Sequence, residues 1–140
     1  MAGKEWHKDV VADFRSHHGR VTVGPIAGMQ LLLLNAKGAR TGIERTYPLA
    51  YVRDGDRYVI VASKGGSPTN PDWYWNLIAN PEAMIEVGSE RIPVMAIEVK
   101  GAERQGVFDL AAATHHGFKE YEKTTPRVIP VFVLEKRHGG

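Results

Sequence analysis

Residues 45–63, RTYPLAYVRDGDRYVIVAS, contain two strand-forming segments around a short turn. Residues 45–53 and residues 57–63 are predicted as strands because both are rich in β-branched and aromatic side chains. The intervening residues 54–56, DGD, have the chemistry of a tight turn, so the two strands are predicted to form a hairpin. Strands of a hairpin pair antiparallel, and the sequence therefore predicts an antiparallel sheet.

Further strands lie on both sides of this hairpin. Four consecutive leucines predict a strand over residues 30–35 that is buried on both faces. Residues 83–87 and 92–99 are predicted as a second hairpin, and residues 127–136 as the last strand. Pro93 cannot donate a hydrogen bond to a neighbouring strand, so it predicts that its strand lies at a sheet edge or carries a bulge.

Helical spacing of apolar residues predicts three helices, over residues 5–18, 71–80 and 101–116. These helices and about six strands, joined mainly in consecutive hairpins, favour an α+β fold that is mainly β. We expect a small, partly open antiparallel β-barrel with helices at its sides. Residues 1–20 are expected to form an N-terminal helix and residues 21–140 the barrel, within a single domain.

The composition excludes several classes of function. The formal net charge of +2 over 140 residues is too small to indicate nucleic-acid binding. The chain has no cysteine, which excludes disulfides, thiolate metal sites and a cysteine nucleophile, and favours a reducing compartment. The run of four leucines at residues 31–34 is far shorter than a membrane span. We therefore expect a cytoplasmic protein without stable membrane insertion.

Residues 37–45, KGARTGIER, form a basic loop punctuated by glycines between two predicted strands. Glycines allow backbone N–H groups to approach an anion closely, and Arg40 and Arg45 can hold a phosphate or carboxylate through paired hydrogen bonds. The basic loop therefore has the composition of an anion cradle. A solvated basic turn is the alternative, because the pattern matches neither of the common phosphate-binding fingerprints.

A second candidate anion loop, ASKGGS at residues 62–67, overlaps the end of the predicted strand at 57–63. It supplies a hydroxyl, a cation and two permissive glycines in consecutive positions. Residues 68–76, PTNPDWYWN, then bring aromatic side chains to the start of a predicted helix, where free N–H groups attract anions. Trp73 and Tyr74 are candidates for stacking on a flat ring, and core packing is the alternative for these aromatics.

These motifs follow one another along the chain as GARTGIERTYPL, YVRDG, VASKGG, NPDWYWNL, ANP and RVIP. The set resembles the deazaflavin-dependent nitroreductase family from about Leu34 to the final strand. The resemblance implies a split β-barrel of the FMN-binding type and an enzyme that uses reduced coenzyme F-420. It also implies hydride transfer to an electron-poor acceptor, such as a quinone, a nitroaromatic compound or an α,β-unsaturated lactone of the coumarin or aflatoxin type.

The resemblance also implies which residues hold the cofactor. Those implied for its phosphate and acidic tail are Lys37, Arg40, Thr41, Gly42 and Arg45. Those implied for the deazaflavin ring and its ribityl portion are Pro48, Ala62, Ser63, Lys64, Gly65, Gly66, Asn70, Trp73 and Asn76. Both candidate anion loops thus contribute to one expected cofactor site.

Members of the resembled family carry tyrosines around the substrate pocket, and the corresponding positions here are His115, Phe118 and Tyr121. Only Tyr121 keeps the residue type, so the resemblance implies a pocket with different polarity and fewer phenol donors. Tyr121 and Ser63 are candidate catalytic residues as proton donors, and solvent is the alternative source of the proton. No metal site is expected, because adjacent histidines on a helix point about 100° apart.

Two alternatives to a reductase are open from the sequence. An FMN-dependent split-barrel oxidoreductase needs a similar phosphate loop, and a non-catalytic carrier of the deazaflavin or another flat anion needs the same cradle and aromatic wall. Cofactor preference distinguishes the first alternative, and turnover distinguishes the second. The expected partner is a small-molecule acceptor, and exposed strand edges allow a homodimer.

Overall fold

The computed structural model describes residues 3–22, 28–64 and 68–137, and these residues form four helices and seven strands. The helices are α1 Gly3–Ser16, α2 Asp72–Ala79, α3 Gly101–Thr114 and α4 Gly117–Thr124. The strands are β1 Leu31–Lys37, β2 Glu44–Ala50, β3 Val52–Asp54, β4 Arg57–Val61, β5 Glu82–Val87, β6 Glu90–Val99 and β7 Val131–Lys136. The predicted α+β fold with mainly β content is confirmed.

All seven strands lie in one antiparallel sheet with the order β2-β1-β5-β6-β7-β4-β3. β2 and β3 are at opposite edges of the sheet, yet only Tyr51 separates them along the chain. The sheet must therefore curl until its two edges meet at Tyr51. The Tyr51 N–H donates to the Gln30 carbonyl at 3.3 Å at this junction. The curled sheet is the partly open barrel that the sequence predicts.

Different helices cover the two faces of the sheet. On one face, Ile60 of β4 lies in a buried cluster with Trp73 of α2. On the opposite face, Val61 of β4 lies in a second cluster with Phe108 of α3 and Phe118 of α4. This division follows from the alternation of side chains along a strand. The residues that follow β4 therefore lie between α2 on one side and the α3–α4 pair on the other.

α1 is fastened to the sheet by apolar contacts and by an ion pair. Val10 and Phe14 are buried in a third cluster with Leu33 of β1. Arg15 donates from Nε and Nη2 to the two carboxylate oxygens of Glu86 in β5, at 3.0 and 2.7 Å. Within the described ranges, no helix has the length and apolar character to cross a bilayer.

The structure has one strand and one helix more than the sequence predicts. The predicted strand over residues 45–53 is divided at Tyr51, because the chain leaves one sheet edge there and joins the other. The predicted helix over residues 101–116 ends at Thr114. The sequence pattern does not predict the short α4, because Phe118 is its one buried side chain and gives no apolar periodicity.

The prediction that Pro93 marks an edge or a bulge is wrong. β6 lies between β5 and β7, and its register with β5 is continuous through Pro93. Pro93 is tolerated because the β6–β7 ladder ends there, where its carbonyl accepts the Arg137 N–H at 2.9 Å. The last strand begins at Val131 rather than at residue 127, because Pro130 has no N–H to extend the ladder.

Candidate active site

The basic loop turns tightly at residues 38–43, between β1 and β2. The Gly38 N–H donates to the Ile43 carbonyl and the Gly42 N–H donates to the Gly38 carbonyl, each at 2.9 Å. Gly42 has a φ of +71°, a conformation that favours glycine. A Cβ at Gly38 would lie 2.7 Å from Thr41 Oγ1, so a larger residue would displace Thr41. Gly38 and Gly42 thus occupy positions where the chain reverses direction.

The basic loop presents hydrogen-bond donors and positive charge outward. The backbone N–H groups of Arg40 and Thr41 make no hydrogen bond to any described residue. The side chains of Lys37, Arg40 and Arg45 are exposed, and within the described part of the chain none of them forms an ion pair. Free N–H groups beside free cations attract an anion. This geometry is the one an anion cradle requires, and the anion-binding role of the basic loop stays a prediction.

Asn76 of α2 connects the basic loop to the interior of the barrel. Its Oδ1 accepts the Ala39 N–H at 2.9 Å, and its Nδ2 donates to the Tyr47 hydroxyl at 2.9 Å. Asn76 is only 7% exposed, so the loss of either bond would leave a buried polar group unpaired. Burial raises the pKa of Tyr47, and the hydrogen bond from Asn76 partly offsets that rise. The phenol therefore keeps its proton at neutral pH.

Arg127 joins the end of β4 to the segment before α2. Its Nη2 donates to the carbonyl oxygens of Ala62 and Ser63 at 3.0 and 3.1 Å, and its Nη1 donates to Asn70 Oδ1 at 2.6 Å. Burial lowers the pKa of Arg127, yet a guanidinium stays charged at physiological pH. The two chain segments expected to line the cofactor are thus held together by one side chain.

The residues after β4 include a buried serine and a residue with a strained backbone conformation. Ser63 is 7% exposed, and its hydroxyl makes no hydrogen bond within the described ranges. Lys64 has a φ of +48°, in the left-handed region, and its Nζ donates to Thr69 Oγ1 at 3.2 Å. Gly65 and Gly66, also expected to contact the cofactor, lie outside the described residues.

The three residues expected to line the substrate pocket form a separate group at α3 and α4. His115 Nε2 donates to the Tyr51 carbonyl at 3.0 Å, at the junction of the two sheet edges. The His115 and Phe118 ring centroids are 5.7 Å apart, and those of Phe118 and Tyr121 are 6.5 Å apart. Phe118 is buried against the same sheet face as Val61, and Tyr121 is half-buried there.

A family model described as F-420H2-dependent quinone reductase matches residues 6–136 of the chain. The chain belongs to this family. An F-420H2-dependent quinone reductase of Mycobacterium tuberculosis is 39% identical over 129 residues, which cover 90% of this chain and 87% of the relative. A solved structure of an F-420H2-dependent reductase, FDR-A, has a TM-score of 0.71 at 38% identity, over 76% of this chain and 94% of that one.

A second solved structure, described as a domain-swapped dimer, has a TM-score of 0.73 at 31% identity and covers 95% of this chain and 99% of that one. Membership in the F-420H2-dependent quinone reductase family confirms the predicted F-420-dependent oxidoreductase and its cofactor. The structural matches confirm the split barrel. The individual site residues stay predictions.

Trp73 and Pro48, two of the expected cofactor-binding residues, also take part in the packing of the fold. Trp73 is 4% exposed and packs in the core with its ring centroid 6.0 Å from that of Phe132, as the core-packing alternative describes. Trp75, in contrast, is 54% exposed. Pro48 is half-buried in the edge strand β2, opposite Leu33 of β1. The roles of Trp73 and Pro48 in holding the cofactor stay predictions.

Sequence reasoning misses two residues that organise this site, Tyr47 and Arg127. The alternation of Tyr47 with Leu49 along β2 by itself indicates only packing, although the Tyr47 hydroxyl also accepts a hydrogen bond from Asn76. Arg127 belongs to the RVIP motif of the resemblance, which assigns it no role. An arginine beside the irregular start of the last strand is the signal that could have drawn attention to it.

Proposed function

We propose that this protein reduces a quinone with reduced coenzyme F-420, which is held by the basic loop and the residues that follow β4. The observation that carries the proposal is the pair of free N–H groups at Arg40 and Thr41, beside the unpaired charges of Arg40 and Arg45. A phosphate and an acidic tail need such donors and cations. The family match supports the quinone as acceptor.

Each part of the proposed cofactor site has a distinct task. Lys37, Arg40, Thr41, Gly42 and Arg45 bind the phosphate and the acidic tail. Pro48, Ala62, Ser63, Lys64, Gly65, Gly66, Asn70, Trp73 and Asn76 line the ring and its ribityl chain. When bound, the reduced deazaflavin supplies a hydride, while the protein orients the two reactants and excludes water.

The acceptor is proposed to lie on the side of α3 and α4, against His115, Phe118 and Tyr121. The half-buried rings of His115 and Tyr121, beside the buried Phe118, provide a mainly apolar surface with few donors, which suits a flat quinone. Nitroaromatic compounds and unsaturated lactones are flat acceptors of the same electron-poor kind and belong to the proposed range. The hydroxyl of Ser63 or Tyr121, or solvent, supplies the proton.

The test is a titration of the purified protein with F-420 and with FMN, followed by oxidation of reduced F-420 on addition of menadione. Tight binding of F-420 and quinone-dependent loss of the reduced form support the proposal. Binding without oxidation by any acceptor would indicate a carrier, and preference for FMN would indicate an FMN-dependent oxidoreductase. Nitroaromatic compounds and coumarin-type lactones tested in the same assay define the acceptor range.

We also infer that the protein can pair with a second copy of itself. The support is the similarity to a structure described as a domain-swapped dimer, which extends over nearly the whole of both chains. Most soluble oligomers are symmetric homodimers, so a two-fold dimer is the expected form. Analytical ultracentrifugation over a range of concentrations tests this inference, and a constant monomer mass would contradict it.

A further inference from the structure

We infer that Arg127 is a positioning residue for the F-420 reaction, because it fixes the wall formed by Ala62, Ser63 and Asn70. The inference rests on the proposed function and names a residue that the family resemblance leaves without a role. Its guanidinium donates hydrogen bonds to two carbonyl oxygens and one side-chain amide oxygen. Its planar shape holds these acceptors at fixed angles, which an ammonium group cannot do.

Arg127 also determines which polar groups are left for a ligand at this wall. It occupies the carbonyl oxygens of Ala62 and Ser63, while the Ala62 N–H donates to the Pro130 carbonyl at 2.9 Å. The N–H groups of Ser63 and Lys64 and the Ser63 hydroxyl have no partner in the described ranges. The groups that stay free are therefore two N–H donors and one hydroxyl, each of which can donate a hydrogen bond. They suit the carbonyl oxygens of a deazaflavin ring, which are acceptors.

The segment that carries Arg127 is itself held firmly. Arg104 of α3 is buried and donates from Nε and Nη2 to the Ile129 carbonyl, at 3.2 and 2.8 Å. The guanidinium of Arg104 also lies 4.5 Å from the ring centroid of Phe108. Arg127 thus extends to the wall from a segment that α3 holds in place. Its hydrogen bonds therefore fix the residues after β4 relative to α3.

The experiment compares Arg127→Gln and Arg127→Lys with the matched control Arg57→Gln in the full chain. The Arg57 guanidinium donates to the carboxylates of Asp54 and Glu103, and within the described ranges it has no hydrogen bond to the wall or to residues 127–130. Amide hydrogen exchange at Ala62 is measured without cofactor. The Kd for F-420, and the kcat and KM for menadione, are then measured with the cofactor bound. Circular dichroism establishes that each variant is folded.

We expect Arg127→Gln to speed exchange at the Ala62 amide by about tenfold, because the wall opens more easily. We expect kcat to fall by at least about tenfold, since misplaced reactants react slowly. The Kd for F-420 should stay within about threefold of the wild type, because the basic loop and its anion contacts are unchanged. Arg127→Lys should show the same loss of kcat, since it keeps the charge without the planar fork.

The inference is overturned if Arg127→Gln keeps a kcat within about twofold of the wild type, or if Arg57→Gln loses as much kcat as Arg127→Gln. Should Arg127→Gln not fold, Arg127→Lys decides by the same criteria. A wild-type protein that does not oxidise reduced F-420 would refute the proposed function separately. Exchange at Ala62 would then still decide whether Arg127 holds the wall, and unchanged exchange would overturn that role.

Discussion

The side-chain oxygen of Asn76 lies 2.9 Å from the backbone nitrogen of Ala39, and this hydrogen bond joins helix α2 to the basic loop. The same amide donates to the Tyr47 hydroxyl of β2. One buried side chain therefore connects the proposed anion site, a strand and a helix. Both polar atoms of Asn76 have a protein partner, so its main effect on cofactor binding is to hold the loop in place.

Replacing Asn76 by alanine is expected to weaken both stability and cofactor binding. The change leaves the Ala39 N–H unpaired and should lower the free energy of unfolding by about 1–3 kcal/mol. The loosened loop should raise the Kd for F-420 by about tenfold. Urea denaturation and a fluorescence titration measure the two effects. Asn80→Ala is the matched control, because the Asn80 side chain makes no hydrogen bond within the described ranges; an equal rise in Kd there would contradict the prediction.

Arg40→Gln is expected to lower cofactor affinity without affecting stability. Arg40 is exposed and has no ion pair within the described part of the chain, so the fold does not depend on its charge. Loss of a charged hydrogen bond to an anion should raise the Kd for F-420 by about tenfold. Added salt should reduce the difference, because it screens exposed charges. The exposed Arg20 provides the control. A similar rise in Kd for Arg20→Gln would show that the net charge of the protein, and not the basic loop, determines the affinity.

The choice of proton donor can be made by comparing Ser63→Ala with Tyr121→Phe. Ser63 belongs to the wall held by Arg127, whereas Tyr121 packs beside Phe118 on the α4 side. We therefore expect Ser63→Ala to lower kcat more than Tyr121→Phe does. A general acid usually contributes at least about a hundredfold, so a loss below about tenfold in Tyr121→Phe removes Tyr121 from that role. Losses below tenfold in both variants would leave solvent as the donor.

The sequence predicts those parts of the fold that depend on local pattern. The hairpin of β3 and β4, the glycines of the basic loop and the proline at the start of α2 each follow from chemistry within a few residues. The division of one predicted strand at Tyr51 does not, because only the closing of the whole sheet requires it. α4 is likewise held by tertiary packing of Phe118 rather than by helical periodicity.

The same distinction applies to the candidate site. The basic loop is recognisable because its charges and glycines are consecutive in the sequence. The contacts of Arg127 with Ala62 and Ser63 join residues 65 and 64 positions apart, and the Asn76 contact with Ala39 spans 37 positions. No local pattern encodes such pairs. Sequence reasoning therefore finds the residues that face a ligand more readily than those that hold them.

Stability is expected to depend on pH through Glu86. The hydrogen bonds from Arg15 lower the pKa of Glu86 below its usual value of 4.5, although burial opposes this effect. Because the pKa is lowered in the folded protein, the ion pair stabilises the fold fully above about pH 4.5 and progressively less as the pH falls below it. Thermal denaturation between about pH 7 and pH 3 should show this loss.

Glu86→Gln isolates the contribution of that carboxylate. At neutral pH the free energy of unfolding of the variant should be about 1–3 kcal/mol lower than that of the wild type, because Arg15 and Asn35 lose a charged acceptor. The difference from the wild type should shrink as the pH falls below about 4.5, since the wild-type carboxyl is then also neutral. Glu90→Gln, at the exposed start of β6, should show no such convergence. A constant difference at every pH would refute the assignment to Glu86.

Lys64→Gly is expected to change stability and cofactor affinity in opposite directions. Lys64 has a φ of +48°, and relief of that conformation should raise the free energy of unfolding by up to about 1 kcal/mol. The exposed hydrogen bond to Thr69 contributes little to offset this gain. Loss of the Lys64 ammonium group should raise the Kd for F-420 by about tenfold. Lys64→Arg keeps the charge and should bind within about threefold of the wild type. An unchanged Kd in Lys64→Gly would show that the strained residue serves the backbone turn and not the cofactor.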